Sequence, residues 1–167
     1  IIDGIVINKN LTINGNNHVI DANKTIRIFN IGKYKVVFNN ITFINGNADN
    51  GGAILTSPLT DISINSCRFE NNSATNGGAI YLKCYRNAFI NSSVFKNNSV
   101  SEKGGAIFYD GDDQMSTSCS ISGIFLNNNA SNDGGAVYIR DVSNYKLSGN
   151  FTNNTAKNGG AVYSHTT

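Results

Sequence analysis

Phe69-Glu70-Asn71-Asn72-Ser73-Ala74-Thr75-Asn76-Gly77-Gly78-Ala79-Ile80 is one of five versions of a single phrase, and its recurrence decides the fold. The versions begin at Phe43, Phe69, Phe95, Phe125 and Phe151, so the steps are 26, 26, 30 and 26 residues. Each reaches a Gly-Gly-Ala, at Gly51-Gly52-Ala53, Gly77-Gly78-Ala79, Gly104-Gly105-Ala106, Gly134-Gly135-Ala136 and Gly159-Gly160-Ala161, followed by Ile54, Ile80, Ile107, Val137 or Val162. A fixed period of this size is the mark of stacked repeats, in which no unit buries its apolar face alone.

Working back from each phenylalanine, side chains alternate. Val36 and Phe38 precede Ile41 and Phe43; Ile62 and Ile64 precede Cys67 and Phe69; Ala88 and Ile90 precede Ser93 and Phe95. Each set has period-two spacing, a two-residue break and a second short strand, which reads as two half-buried strands meeting at a corner. In the last two versions the break is lost, because Cys119, Ile121, Gly123 and Phe125, like Tyr145, Leu147, Gly149 and Phe151, alternate straight through. The first forty residues carry strands without the phrase, at Leu11-Thr12-Ile13, Val19-Ile20 and Ile26-Arg27-Ile28-Phe29, and read as the earliest coils.

These patterns predict an all-β chain folded as a right-handed parallel β-helix, a solenoid with about six coils of about 26 residues each. At ~4.8 Å per strand spacing the stack is ~30 Å tall. The phenylalanines form one interior column. Asparagine supports the same picture: 29 of 167 residues are Asn, a residue that competes with the helix backbone for hydrogen bonds and suits turns. Asn45, Asn71, Asn97, Asn127 and Asn153 stand two residues after each phenylalanine, and Asn39, Asn65 and Asn91 stand four before it. An amide both donates and accepts, so such columns read as ladders bonded from coil to coil, with Asn71 and Asn97 expected to be buried.

Composition narrows function. The net charge is +2 with signs mixed, so there is no basic stripe for phosphates, and nucleic acid is not an expected partner. Cys67, Cys84 and Cys119 are far apart, without the paired spacing of a zinc site or a disulfide framework. No signal peptide, stop-transfer segment or lipidation motif is visible. The chain opens on the apolar run Ile1-Ile2-Asp3-Gly4-Ile5-Val6-Ile7 and closes just past Gly159-Gly160-Ala161-Val162-Tyr163, without the polar caps that solenoids need. We therefore expect residues 1–167 to be a β-helix segment of a longer repeat protein.

The pairing of Phe-x-x-Asn with Gly-Gly-Ala-Ile/Val resembles the repeats of chlamydial polymorphic outer-membrane proteins. Closer still is a resemblance to the adhesin-like surface proteins of methanogenic archaea, in which an opening like residues 6–21 leads into phrases like residues 69–81. The likeness covers essentially the whole chain. It implies a right-handed parallel β-helix displayed outside the cell as an adhesin or structural stalk, located at the cell surface and attaching to a glycan or protein there. Two departures are visible: Gly46 replaces the Asn of Phe-x-x-Asn in the first version, and the third and fourth versions carry one more residue before Gly-Gly.

Catalysis needs convergent acids and bases, and the sequence offers only Asp112-Asp113, in the stretch that lengthens the 30-residue step. The plain reading of that pair is a solvated acidic loop, against a weak calcium site or half of a dyad. His18 and His165 sit near opposite ends of the stack and read as ordinary turn or surface histidines. No catalytic, cofactor or metal residue is assigned, and no enzyme activity or cofactor is expected. Among nine Asn-x-Ser/Thr sequons, Asn10, Asn23, Asn40, Asn129 and Asn150 are the glycosylation candidates, because Asn71, Asn91, Asn97 and Asn153 are assigned to ladders. Tyr81, Tyr109, Tyr138 and Tyr163 follow the Gly-Gly-Ala segments and line up as a stripe that either stacks on sugars or packs half-buried at a corner. Adhesin or stalk is the favoured class. A polysaccharide lyase or hydrolase and a filament subunit associating homotypically end to end are the alternatives.

Overall fold

Inward apolar and outward polar residues, interrupted at left-handed corners, wind this chain into a parallel β-helix of about six coils. The computed structural model describes residues 3–83, 86–111, 118–142 and 144–165, and it contains strands and turns without helix. Three parallel sheets run along the stack. The first takes Ile5–Ile7 and Phe29–Ile31 and then the five strands that follow Gly-Gly-Ala, Ile54–Thr56, Ile80–Lys83, Ile107–Asp110, Val137–Arg140 and Val162–His165. The second begins at Leu11–Asn14, Lys35–Asn39 and Asp61–Asn65, turns a corner into Val19–Asp21, Thr42–Ile44 and Arg68–Glu70, and continues as the longer strands Ala88–Lys96, Cys119–Leu126 and Tyr145–Thr152. Asn47–Asn50, Ser73–Asn76, Ser99–Lys103 and Asn129–Ala130 make the third.

The phenylalanine column is present. Phe43, Phe69, Phe95 and Phe125 are fully buried, and Phe151 on the last coil is half-buried. Successive ring centroids lie 4.8, 4.9, 4.9 and 4.6 Å apart and close to parallel, one strand spacing per step. Each buried ring contributes ~1.5–3 kcal/mol of hydrophobic stabilisation. Ile20 stands in register with Phe43 and continues the column into the earlier coil.

Asparagine ladders are also present, but the buried one is displaced by one residue from expectation. Asn71, Asn97, Asn127 and Asn153 are exposed, and Asn45 is partly so. All five take φ between 54 and 58°, the left-handed conformation that Asn tolerates better than other non-glycine residues, and this turns their side chains out at the corner. The next residue points inward: Asn72, Asn98 and Asn128 are fully buried. Each Nδ2 donates to the following Asn Oδ1, at 3.0, 2.9 and 2.9 Å, ending on Asn154. The other Nδ2 proton goes to the carbonyl of a phenylalanine one coil back, Phe43, Phe69, Phe95 or Phe125. Oδ1 in turn accepts the backbone N–H of the preceding coil, from Gly46, Asn72, Asn98 and Asn128. At Asn98 and Asn128 both donors and both acceptor sites are therefore used. The ladder stops at Gly46, where a Cβ would stand 2.0 Å from the Gly52 carbonyl. The outer ladder falls where the sequence puts it, with Asn39 bonded to Asn14, Asn65 to Asn39 and Asn91 to Asn65 at 2.8–3.0 Å.

Gly-Gly has two separate causes, shown by Gly104-Gly105. Gly104 needs its φ of +69°, whereas a Cβ on Gly105 would meet the Gly135 carbonyl at 2.0 Å. On the first coil Arg27 takes over at this corner. It is 5 % exposed, donates to the Asn50 and Gly51 carbonyls at 2.9–3.1 Å and pairs with Asp3, which closes the first edge of the third sheet.

The irregular steps leave the columns aligned. The corner break persists in the first three phenylalanine coils, where Asn40, Ser66 and Ser92 have φ of 49–52°. It disappears in Cys119–Leu126 and Tyr145–Thr152, and the register shift between Ile90 and Ser93 absorbs the difference. Here the inward column shrinks from Ile41 through Cys67 and Ser93 to Gly123, whose Cβ would lie 2.3 Å from the Ser93 carbonyl. The extra residue before Gly104 forms a bulge in Ser99–Lys103, so that Asn76 pairs with Lys103. The remaining excess of the 30-residue step falls between Asp110 and Cys119, and Phe125 still pairs with Phe95 and Phe151.

Candidate functional site

A stack whose inward positions are filled by side chains can act only through its outward columns. On the first sheet one such column is aromatic. Leu55, Tyr81, Phe108, Tyr138 and Tyr163 are successive register partners, and their rings follow at 4.7, 4.8 and 5.5 Å from Tyr81 onward. The stripe is thus real, with one change of member. Tyr109 is two residues after Ile107 and so faces inward, fully buried, while Phe108 occupies the outward place.

Polar groups clasp this column. Asp110 accepts from the Tyr81 hydroxyl at 3.0 Å and from Arg140 Nε at 2.9 Å, and Arg140 lies over the Phe108 ring at 5.4 Å. Lys103 pairs with Asp133 at 3.1 Å and sits 4.8 Å from the Tyr138 ring centroid. The side-chain hydrogen bond from Asn158 holds the Asp133 carboxyl below its ordinary value, opposed by partial burial and reinforced by Lys103. Burial works against the charge on Lys103 and Arg140, but their carboxylate partners Asp133 and Asp110 outweigh it and raise both. Phe108 and Tyr138 are each only 3 % exposed, so the middle of this column is a packed rib. Half-buried packing, one of the two expected readings, describes Tyr81 and Tyr163.

The other sequence candidates are dispersed. Asp112 and Asp113 lie outside the described residues, as does Cys84. His18 is exposed, its Nδ1 2.8 Å from the Gly15 carbonyl, and exposed His165 ends a strand at the far side of the stack. Cys67 is a buried free thiol whose pKa burial pushes up, and Cys119 is buried as well. Among the described residues no three His, Cys, Asp or Glu side chains are grouped as metal ligands would be. Asn10, Asn23, Asn40, Asn129 and Asn150 are all exposed. So are Asn71, Asn91, Asn97 and Asn153, which corrects the expectation that ladder membership would hide them.

The sheet carrying Leu11–Asn14, Lys35–Asn39 and Asp61–Asn65 presents a different outward surface, which the sequence reading did not single out. Its central column runs Thr12, Val37, Ser63, Phe89, Ser120, Lys146, and Phe89 is 36 % exposed between two serines. Period-two spacing from buried Ala88 and Ile90 was signal enough to place that ring outside.

Four segments of the chain, residues 66–83, 92–110, 122–140 and 148–165, match the Chlamydia polymorphic membrane protein repeat. Each contains one phenylalanine of the column, one member of the inner ladder, one Gly-Gly-Ala and one strand of the first sheet. The chain is a β-helix repeat protein. No curated protein and no solved structure matches it. The earliest matched segment is also the one in which the inner ladder starts, at Asn72, so the repeat and the hydrogen-bonded column coincide.

Proposed function

We propose that this β-helix is an extracellular, surface-displayed module that attaches a cell to a glycan or protein or holds a binding element away from the surface, without catalysing a reaction. The observation that carries the reading is the fourfold match to a repeat of a bacterial membrane protein. Its resemblance to the adhesin-like proteins of methanogenic archaea points the same way. The physical character of the stack suits the role: ring columns and amide ladders tie each coil to the next, which makes a stiff rod with regular outward faces. Repeated weak contacts along such faces gain avidity when many copies are displayed.

The test is attachment. Beads or cells displaying the chain should bind a host or neighbouring cell surface, while uronic-acid and neutral polysaccharides incubated with the purified chain should keep their length. Sustained cleavage that is lost in Asp112→Asn or Asp113→Asn would replace this reading with an enzyme.

A further inference from the structure

Phe89 stands out because the residues around it are small or polar. It walls a surface recess of about 210 Å³ together with Lys35, Asp61, Ser63 and Asn87. A second recess of about 330 Å³, lined by Asn10, Thr12, Lys35 and Val37, adjoins it through Lys35. The two form one shallow trough along the stack axis across four coils, ~15–20 Å at the strand spacing.

Its chemistry is directional. Asp61 is held by the backbone N–H of Asn87 at 3.2 Å, by Asn87 Nδ2 at 3.0 Å and by Arg86 at 3.4 Å, so its charge is balanced and its remaining acceptor capacity is fixed in place. Lys35 lies two coils before Phe89 and Lys146 two coils after it, each ~10 Å away along the axis. Among the described residues neither lysine has a carboxylate partner. Three cations, Lys35, Arg86 and Lys146, therefore face one carboxylate, Asp61, which leaves a local charge of +2 around an exposed ring.

We propose that this trough binds an anionic saccharide chain. One sugar ring lies on the Phe89 face, hydroxyls of the same unit meet Asp61, Asn87 and Ser63, and acidic groups of flanking units meet Lys35 and Lys146. A flat ring apposed to an aromatic face buries apolar C–H surface while its hydroxyls stay free for polar neighbours. The lysine spacing favours a chain with charges in register over a single small anion. An acidic peptide satisfies the lysines but supplies no hydroxyls for Asp61, and its carboxylates are repelled there. This site is a specific form of the surface-attachment reading and rests on it for its biological setting.

The experiment titrates the intact chain with a hexuronate oligomer, the matching neutral hexose oligomer and polyglutamate, following backbone amide shifts and heats of binding. The hexuronate oligomer should bind, shifting amides of Lys35, Asp61, Phe89 and Lys146, and the neutral oligomer should bind about tenfold more weakly. Phe89→Ala should weaken hexuronate binding at least about tenfold, Phe89→Tyr should retain it, and Lys35→Gln should weaken hexuronate binding while leaving the neutral oligomer unchanged. Salt should weaken only the charged ligand. No hexuronate binding tighter than about 1 mM, equal binding by Phe89→Ala, or stronger binding of polyglutamate overturns the site. Attachment of displayed chains to cells separates this from the wider reading. Attachment that persists in Phe89→Ala, without hexuronate binding by the wild type, removes the trough and leaves the adhesin. Hexuronate binding without attachment to any surface keeps the trough and removes the adhesin.

Discussion

Replacing Asn98 by leucine keeps the size of the side chain and deletes every hydrogen bond it makes. The amide donates to Asn128 Oδ1 at 2.9 Å and to the Phe69 carbonyl at 3.0 Å, and it accepts from the Asn72 N–H and from Asn72 Nδ2, both at 3.0 Å. Asn128 Oδ1 would still be bonded by the Asn98 backbone N–H. The two Asn72 donors would have no substitute, because Asn72 is fully buried. At ~1–3 kcal/mol for each stranded donor the loss is ~2–6 kcal/mol, and leucine's greater apolar burial offsets part of it, leaving ~2–4. For a chain of this length that is a fall of roughly 5–15 °C in melting temperature. Asn97→Leu is the internal control. Its side chain is exposed, and the cost is only the left-handed φ of 55°, ~1 kcal/mol. Paired thermal and urea melts of the two variants, with hydrogen exchange at the Asn72 amide, make the comparison. Asn97→Leu losing as much stability as Asn98→Leu, or an unchanged Asn72 exchange rate in Asn98→Leu, would refute the assignment of the ladder to the inner column.

Three further outcomes are expected. Phe95→Ala, in the middle of the ring column, should cost ~3–5 kcal/mol by urea melt, since coils fixed above and below cannot close on the gap; a loss under ~1 kcal/mol would mean that the stack relaxes freely. Gly105→Ala places a methyl 2.0 Å from the Gly135 carbonyl and should abolish soluble folded protein or drop the melting temperature by more than Asn97→Leu does, and a wild-type melt would contradict the close approach of these strands. The folded Asp133 carboxyl lies below its unfolded value near 3.8, so its contribution is present above about pH 4 and is lost as pH falls through the depressed value. Asp133→Asn should therefore flatten the decline of stability below pH 4, and an identical decline in both proteins would show that the carboxyl is not involved.

Fold class was legible because the phenylalanines recur in a position that has one physical use. The ladder was harder. Asn recurs at the second residue after all five phenylalanines and at the third after four of them, and periodicity cannot say which of the two points inward. The fully populated column, from Asn45 to Asn153, is the one outside, where backbone conformation selects Asn. The buried column is broken at Gly46 because the Gly52 carbonyl takes that space, a contact between segments that a single repeat does not display. Tyr109 was different: counting by twos from Ile107 already sends it inward and Phe108 outward, and pairing tyrosines by residue type overrode the count. Legibility ended at the trough, since Lys35, Asp61, Phe89 and Lys146 belong to four coils and share no motif.

The constancy of register across unequal coils has a consequence for how such a chain can change. Steps of 26 and 30 residues leave Phe95, Phe125 and Phe151 in line, because the surplus is taken up at a bulge and in the segment between Asp110 and Cys119. Any position is thereby given by two coordinates, its column around the coil and its number along the axis, graduated at one strand spacing. An insertion at a corner alters neither coordinate for the residues on the faces. Corners can therefore vary in length and content while surface groups coils apart keep their separation, and a binding pattern drawn on one face survives additions made on another.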